Sequence, residues 1–372
     1  MSALSPPSPY PQAKAEAVAG AAGAMVAPVR WPAVVPGSST GFGALREAGP
    51  TVRKAGPISM KRLELFRLAA PKDSGAHRYP GTVTDVLPPA PAPLPTTLAE
   101  ASEAGRTLIM GIINVTPDSF SDGGRWDTTD LAVAHGRQLR AQGADLLDVG
   151  GESTRPGAAR ITPATEQERI IPVVRALAAS GAAVSVDTVH AATAEAAVGA
   201  GAVIVNDVSG GLADPAMHRV VADTGVVYIC QHWRGDPETM DRLTDYSALG
   251  GVVDGVETEL RERLDELDAA GADLRQVVID PGLGFAKTHA QSWRLLTATE
   301  RLRVDLGLPV LIGSSRKRFL AAAVPGSAAA DPIARDAATA ATTALAALAG
   351  AWAVRVHEVP ANRDAVRTAS LW

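Results

Sequence analysis

From residue 107 to the C-terminus, short apolar runs alternate with longer segments in which apolar residues recur every three or four positions. The short runs are apolar at consecutive positions, which is typical of strands buried on both faces, whereas the longer segments have the period of amphipathic helices. Strands are predicted at 107–115, 145–149, 183–187, 203–208, 226–232, 277–280, 310–313 and 353–357. Helices are predicted between them at 131–142, 166–179, 193–200, 216–223, 249–270, 291–304 and 332–349.

This alternation predicts a parallel sheet whose strands are joined by helical crossovers. Eight such units within roughly 265 residues match the size of a closed (β/α)8 TIM barrel. An open, doubly wound sheet is the structural alternative, but it usually has fewer strands and often a glycine-rich phosphate turn after the first strand. Since neither feature occurs here, we predict an α/β protein with a TIM-barrel catalytic domain at residues 105–372.

The first hundred residues differ in composition from the rest of the chain. They contain 16 of the 27 prolines, with dense runs at 5–9 and 88–95. Such runs neither pair as central strands nor continue helices, and they favour extended polyproline conformations. The weakly apolar stretch 17–29 is interrupted by proline and glycine, so it is a poor signal peptide. Because little apolar surface offsets the entropy of ordering, we predict that residues 1–104 form a disordered or weakly structured extension.

Charge and cysteine content narrow the class of protein. The formal net charge of −5 argues against a nucleic-acid-binding surface. No uncharged apolar run is long enough to span a bilayer. The single cysteine, Cys230, excludes a disulfide framework and a multi-cysteine metal site. We therefore expect a soluble, cytoplasmic protein.

Polar residues stand at or just past the carboxyl end of every predicted strand. In a barrel these ends meet at one mouth, where such enzymes keep their chemistry. One polar residue at a strand end is more often a turn or helix cap, but eight strands out of eight ending in this way favour a functional site. The residues are Asn114, Asp148, Asp187, Asn206, His232, Asp280, Ser314 and His357.

The chemistry of these residues and of the loops beside them suggests the kind of ligand. Asp187, Asn206 and Asp280 are buried acceptors that need a partner, and the adjacent N–H donors of an amino-pyrimidine edge suit a carboxylate and an amide. Basic residues on the same loops suit a phosphorylated or pyrophosphorylated ligand. An oxygen-ligated Mg²⁺ shared with a pyrophosphate needs only one or two protein ligands and leaves little trace in sequence. The basic residues are Arg155, Arg316, Lys317, Arg355 and His357, and Arg318 is interpreted as a surface charge.

Together these segments resemble the signature motifs of the dihydropteroate synthase family of pterin-binding TIM-barrel enzymes. The resemblance runs from about residue 108 to the C-terminus and includes the family's motifs in order, whereas residues 1–104 have no counterpart in it. The matching segments are NVTPDSFSDGG at 114–124, DVGGESTRPG at 148–157, SVDT at 185–188, NDV at 206–208, DPGLGF at 280–285, SRK at 315–317 and RVH at 355–357.

The resemblance implies condensation of a 7,8-dihydropterin bearing a 6-hydroxymethyl diphosphate with 4-aminobenzoate, which gives 7,8-dihydropteroate and pyrophosphate in folate biosynthesis. Its implied pterin ligands are Asp187, Asn206, Asp280 and Lys317. Its implied diphosphate ligands are Arg155, Arg355 and His357, and Asn114 helps to bind Mg²⁺. Its implied aminobenzoate pocket is formed by Thr154, Pro156, Phe285, Ser315 and Lys317. Catalytic roles are thereby implied for Arg155, Lys317, Arg355 and His357.

The resemblance also implies a homodimer formed through helices near the C-terminus and competition by sulfonamide-type analogues of aminobenzoate. Two other classes remain as alternatives. Corrinoid-dependent methyltransferases bind a folate on a similar barrel, but they release no pyrophosphate and would not need Arg355, His357 or the SRK motif. A catalytically idle paralogue would have lost motif residues, and the departures here are limited to Gln231, where the family more often has methionine, and Ser314 at a variable position.

Overall fold

The strands lie where the hydrophobic pattern predicts them. The computed structural model describes residues 94–116, 128–152, 160–236 and 238–372. In these residues the parallel strands are β1 (Leu108–Asn114), β2 (Leu146–Gly150), β3 (Ala183–Asp187), β4 (Ile204–Asp207), β5 (Val227–Gln231), β6 (Val277–Asp280), β7 (Leu311–Ile312) and β8 (Ala353–Val356).

The eight strands form one sheet that closes on itself. Their order is β6-β5-β4-β3-β2-β1-β8-β7, and every pairing is parallel. The remaining edges meet at a parallel bridge between Ile279 and Val310, and the Ile279 N–H donates to the Pro309 carbonyl at 2.9 Å. The predicted TIM barrel is therefore confirmed, and the open doubly wound sheet is excluded.

Apart from the first helix, which precedes β1, the helices follow the strands around the outside of the barrel. In the described part of the chain they are α1 (Thr96–Glu103), α2 (Thr128–Gln142), α3 (Pro163–Ala179), α4 (Ala191–Gly199), α5 (Met217–Thr224), α6 (Val252–Ala269), α7 (His289–Thr297), α8 (Thr299–Leu306), α9 (Asp336–Leu348) and α10 (Val359–Leu371). The helix predicted at 291–304 is divided at Ala298 into α7 and α8, and the structure adds α1 and α10 to the predicted set. Across the residues that the structure places, no helix has the length and apolarity needed to cross a membrane.

Two hydrophobic cores explain why the strands are apolar at consecutive positions. Successive side chains of a strand point to opposite faces. On β1, Leu108 and Met110 belong to the core inside the barrel, whereas Ile109 and Ile113 belong to the core between the strands and the helices. Because both faces are buried, nearly every strand position is apolar until the carboxyl end, where polar side chains line the mouth.

Helix α1 changes the predicted boundary of the folded region. We predicted that the extension reaches residue 104, but Leu98 on α1 is buried in the core inside the barrel, and Leu94 and Ala101 pack against the same core. The folded region therefore begins no later than residue 94, and the prediction for 94–104 is wrong. The composition of this segment did not indicate the helix, because a single buried leucine is enough to hold a two-turn helix against the barrel. The predictions for residues 1–93 lie outside the described residues.

The position of α1 predicts different outcomes for two truncations. A chain starting at residue 94 keeps Leu98 in place, whereas a chain starting at residue 105 exposes the apolar surface that Leu98 covers. We expect the second chain to lose about 1.5–3 kcal/mol of unfolding free energy, the usual contribution of one fully buried leucine. Urea unfolding of both chains measures the difference, and equal midpoints would show that α1 adds nothing to stability.

Candidate active site

A buried arginine and two carboxylates form the centre of the mouth. Arg355 on β8 donates from Nε to Asp148 Oδ2 on β2 and from Nη2 to Asp187 Oδ2 on β3, both at 2.6 Å. Asn206 on β4 donates from Nδ2 to the same Asp148 oxygen at 3.0 Å. The guanidinium thus links three strands through charge-assisted hydrogen bonds.

Burial shapes the ionisation of this cluster. Burial raises the pKa of Asp187 to about 7, although the charge of Arg355 opposes the rise. Burial disfavours the charged form of Arg355 as well, but attraction to Asp148 and Asp187 outweighs it, so the pKa of Arg355 is raised. Arg355 is therefore always charged, while Asp187 can gain a proton near neutral pH.

A second group of residues lies on the opposite side of the mouth, after β6 and β7. The Gly282 N–H donates to Asp280 Oδ1 at 2.7 Å. Lys317 donates from Nζ to the Leu283 carbonyl, and its Nζ lies 4.6 Å from the centre of the Phe285 ring. Burial raises the pKa of Asp280, against the charge of Lys317, and lowers the pKa of Lys317 to about 8.

Glycine at position 313 leaves space between these two charges. A Cβ at Gly313 would lie 3.6 Å from Asp280 Oδ2 and 3.7 Å from Lys317 Nζ. Both charged groups therefore face the same small volume, and a ligand placed there can contact both.

His357 and Ser315 join the ends of β8 and β7. Ser315 Oγ lies 2.9 Å from His357 Nδ1 and accepts the His357 backbone N–H at 3.2 Å. The first contact orients the imidazole ring, and the second holds the His357 backbone. Both residues therefore lie just past the carboxyl ends of their strands, and their ligand roles stay predictions.

Two acceptor oxygens in the centre of the mouth receive no hydrogen bond from the part of the chain that the structure describes. Asp148 Oδ1 and Asn206 Oδ1 are buried and have no hydrogen-bond partner among the residues that the structure describes. A buried acceptor without a partner costs about 1–3 kcal/mol. Such atoms are therefore expected to receive hydrogen bonds from a bound ligand.

Two residues that the sequence places at the mouth point elsewhere. Arg316 donates from Nε and Nη2 to Asp336 at the start of α9, both at 2.7 Å, so its guanidinium is turned toward α9. The His232 side chain lies behind the mouth, between Glu259 and Lys287. Both predictions are wrong because a position after a strand fixes where the backbone lies but not where the side chain points.

Several predicted residues cannot be compared with the structure. Thr154, Arg155 and Pro156 lie outside the described residues, as does most of the first motif, at 117–124. Asn114 ends β1, beside Gly150 in the register of β1 and β2. The ligand roles of all these residues stay predictions.

Sequence reasoning missed a buried carboxylate next to the centre of the mouth. Glu166 on α3 accepts a hydrogen bond from Thr188 Oγ1 at 2.7 Å, directly after Asp187 on the chain. Burial raises the pKa of Glu166, although the Thr188 hydroxyl opposes the rise. Because Glu166 lies on a helix, no strand-end pattern could mark it. It lines a cavity at the mouth together with Glu152, Arg160, Asp187, Thr188, Val208, Trp233 and Phe285.

Comparison with known proteins agrees with this geometry. Residues 110–357 match the model of the family described as "Pterin binding enzyme". The dihydropteroate synthase of Mycobacterium leprae is 50% identical over 71% of this chain and 93% of that protein. A longer relative, a folate synthesis bifunctional protein of Arabidopsis thaliana, is 42% identical over 70% of this chain, which spans 56% of that relative.

Solved structures of relatives share the fold of the barrel. The dihydropteroate synthase of Xanthomonas albilineans with 4-aminobenzoic acid superposes with a TM-score of 0.65 at 42% identity, over 72% of this chain and 93% of that chain. The same enzyme in complex with 7,8-dihydropteroate gives a TM-score of 0.63 at 40% identity, with the same coverage. The Yersinia pestis enzyme with a sulfonamide drug complex gives 0.65 at 34% identity, over 72% and 93% of the two chains.

A closed barrel with buried acceptors and paired charges at its mouth is the architecture of an enzyme that holds a small polar ring. The chain belongs to the pterin binding enzyme family. Within that family it belongs with the dihydropteroate synthases.

Proposed function

We propose that this chain condenses a dihydropterin-6-ylmethyl diphosphate with 4-aminobenzoate to form 7,8-dihydropteroate and pyrophosphate. The observation that carries the proposal is the buried Asn206 Oδ1, which has no hydrogen-bond partner among the described residues, in a mouth that also holds Asp280 and Lys317. The donors of an amino-pyrimidine edge complement two such acceptors, and a lysine complements a ring carbonyl or nitrogen. Binding of 4-aminobenzoic acid and 7,8-dihydropteroate by the Xanthomonas albilineans enzyme supports the same choice of ligands.

Asp187, Asn206, Asp280 and Lys317 are proposed to hold the pterin. Asp280 Oδ1 is engaged by the Gly282 N–H, which leaves Oδ2 toward the space beside Gly313. Asp187 is anchored by Arg355 through one oxygen. Each group is thus fixed by the protein before the ligand arrives, which lowers the entropic cost of binding.

Phe285, Ser315 and Lys317 are proposed to form the aminobenzoate pocket with Thr154 and Pro156. The Phe285 ring beside the Lys317 ammonium gives an apolar wall next to a positive charge. That combination suits an aromatic ring bearing a carboxylate. A sulfonamide analogue has the same shape, so we expect it to compete with aminobenzoate, in agreement with the Yersinia pestis complex.

The diphosphate is proposed to lie against Arg155, Arg355 and His357. Arg355 uses Nε and Nη2 for Asp148 and Asp187, which leaves its other terminal nitrogen for a ligand oxygen. In the reaction the CH₂–O bond breaks, its electron pair leaves with the diphosphate, and the aniline nitrogen attacks the carbon and loses a proton. Fixed positive charges stabilise the departing group without reorganising during the step.

Magnesium is proposed as the metal, with Asn114 as a protein ligand. The described residues contain no cluster of three or more histidine, cysteine, aspartate or glutamate side chains that could hold a metal alone. A single amide oxygen from Asn114 would suit Mg²⁺, which usually takes most of its oxygen ligands from substrate phosphates and water. When bound, it would neutralise charge on the leaving group.

We also propose a cytoplasmic homodimer. Leu345 and Leu348 on α9 are more than half exposed, one turn apart on the same face, and such a patch suits burial against a second copy. The buried free thiol of Cys230 suits a reducing compartment. Sedimentation of the wild-type chain and of Leu345→Glu tests the dimer. The wild type should sediment as a dimer and the variant as a monomer.

A pyrophosphate-release assay separates the proposed function from its alternatives. Wild-type chain with Mg²⁺, dihydropterin diphosphate and 4-aminobenzoate should release pyrophosphate and form dihydropteroate in equal amounts. A corrinoid methyltransferase or an idle paralogue would release none. The Ser315–His357 contact favours the synthase, because it orients a basic ring where a leaving anion would lie.

Lys317 and its neighbour Arg318 should respond very differently to removal. Lys317→Ala should raise the KM for both substrates by about tenfold to a hundredfold, the usual value of a charge-assisted hydrogen bond. Arg318→Ala should change little, because its side chain is 60% exposed and its ion pair with Asp241 is 3.5 Å long. Steady-state kinetics of both variants make the comparison, and equal losses would contradict it.

The pH dependence of binding gives a second readout for Lys317. Its pKa of about 8 means that the ammonium donor is present below pH 8 and lost above it. Pterin affinity should therefore fall as the pH rises from 7 to 9 in the wild type. In Lys317→Ala this fall should disappear, which calorimetric titration can measure.

A further inference from the structure

Lys287 is a buried lysine that the proposed reaction does not use. It stands between the Asp280 turn and α7 and is 5% exposed. Its Nζ donates to the Phe285 carbonyl at 2.8 Å and lies 2.9 Å from His232 Nδ1. Burial lowers the pKa of Lys287 well below its ordinary value, although attraction to Asp280 opposes the fall. A buried nitrogen of this kind is costly unless it makes hydrogen bonds, and the Phe285 carbonyl and His232 Nδ1 provide them.

A chain of side chains holds Lys287 from behind. His232 Nε2 lies 2.7 Å from Glu259 Oε2 on α6, and Arg234 donates from Nη2 to Glu259 Oε1 at 2.6 Å. An ammonium on one ring nitrogen and a carboxylate on the other fix a neutral imidazole, with Nδ1 accepting and Nε2–H donating. Burial, reinforced by Lys287, lowers the pKa of His232 to about 4, which keeps this arrangement at neutral pH.

The residues that Lys287 and His232 contact belong to the loop that carries the binding groups. The His232 N–H donates to the Asp280 carbonyl at 2.8 Å. Gly282 has a φ of 66°, and a Cβ there would lie 2.3 Å from the His232 carbonyl oxygen, so the turn is packed tightly against the end of β5. Lys287 therefore supports the loop from the rear.

The front of the same loop is held by a different lysine. Lys317 donates to the Leu283 carbonyl, two residues before the carbonyl that Lys287 holds. After the loop, α7 begins with a capping box between Thr288 and Gln291, which fixes the backbone on the far side of Lys287. With Lys287 removed, the Phe285 carbonyl loses its anchor while both ends of the loop stay in place.

We propose that Lys287 is a positioning residue that holds Phe285 and the Asp280 turn in their binding geometry through the Phe285 carbonyl and His232. This inference rests on the proposed function. Lys287 then contributes indirectly to the binding of both substrates. Its effect on aminobenzoate affinity, through the Phe285 ring, is larger than its effect on pterin affinity, through Asp280. Lys287 touches neither substrate, so the chemical step itself should be nearly independent of it.

Lys287→Met tests the proposal, because methionine keeps the length and loses the ammonium. We expect the KM for aminobenzoate to rise about tenfold and that for the pterin about threefold, with kcat within about twofold of wild type. The melting temperature should stay level or rise, since a buried charge is removed. A purely structural role predicts the reverse: a lower melting temperature with both KM values unchanged.

Glu259→Gln provides a second variant if Lys287→Met does not fold. The amide oxygen still accepts the His232 Nε2–H, so the fold survives, but the charge that orients the ring is lost. We expect the KM for aminobenzoate to rise about two- to fivefold. Arg275→Met is the matched control: it also replaces a lysine or arginine side chain by methionine, at a position that is 77% exposed and paired with Asp273, and it should leave both KM values unchanged.

The outcomes separate the two proposals. If wild type makes dihydropteroate and both KM values stay within twofold in Lys287→Met and Glu259→Gln, the inference is overturned and the proposed function stands. If wild type makes no dihydropteroate, the proposed function fails first, whatever the variants do. A rise in the aminobenzoate KM without a loss of melting temperature supports Lys287 as a positioning residue.

Discussion

Arg355→Met should both destabilise the barrel and abolish turnover. The change leaves Asp148 and Asp187 buried without the guanidinium that pairs with them at 2.6 Å. Breaking a buried pair from one side costs about 3–5 kcal/mol. Losing a fixed charge at the leaving group costs roughly a further 10²- to 10³-fold in kcat. Urea unfolding and pyrophosphate release measure the two effects.

The loss of unfolding free energy in Arg355→Met should depend on pH, and the ionisation of Asp187 determines whether the loss grows or shrinks as the pH rises. Its pKa of about 7 in the folded wild type lies above the ordinary value, and it rises further without Arg355. An acid with a raised pKa binds a proton in the folded state, so stability falls as the pH rises through the window between the two values. Arg355→Met should therefore lose more stability at pH 8 than at pH 5.

Two comparisons make the Arg355 prediction specific. Adding Asp187→Asn to Arg355→Met should restore part of the lost stability, because it removes one unpaired charge. His357→Gln should reduce turnover with little loss of stability, because it removes a proposed diphosphate ligand and leaves Asp148 and Asp187 paired with Arg355. If Arg355→Met unfolds at the wild-type urea concentration at pH 8, the two carboxylates do not depend on the guanidinium.

Asp280→Asn should lose pterin binding while the fold survives. The amide can still accept the Gly282 N–H through its oxygen, so the turn is kept. Its NH₂ group, however, meets the donors of the amino-pyrimidine edge, which the carboxylate would accept. We expect an affinity loss of about tenfold to a hundredfold, roughly 1.4–2.8 kcal/mol. Calorimetric titration with the pterin alcohol, which is the dihydropterin with a 6-hydroxymethyl group and no diphosphate, measures this loss without any contribution from the diphosphate.

Asp207→Asn is the matched control for this change. Asp207 is also a buried carboxylate at a strand end, directly after Asn206, but it accepts hydrogen bonds from Ser209, Gly211 and Tyr228. Its replacement should lower the melting temperature and leave pterin affinity nearly unchanged. If Asp280→Asn instead melts lower and binds the pterin alcohol normally, Asp280 only caps its turn.

Contacts between residues far apart in the chain could not be predicted from the sequence. Arg355 and Asp148 are 207 positions apart, and nothing near either residue indicates that they pair. Their contact follows from barrel closure, which places β8 next to β1 and β1 next to β2. Arg355 is therefore predicted from the sequence to lie at the mouth with a ligand as its partner, whereas in the structure it pairs with two carboxylates.

The amino-acid sequence by itself determined the strands, the barrel and the end of the barrel that carries the polar residues. Hydrophobic periodicity is a local property, and eight strands in one direction allow few closed arrangements. Tertiary structure alone decided the direction of each side chain: His232 and Arg316 turn away from the mouth, and Lys287 and Glu166 approach it from behind. The physical reason is that strand register and helix packing fix these directions, and both depend on contacts between segments distant in the chain.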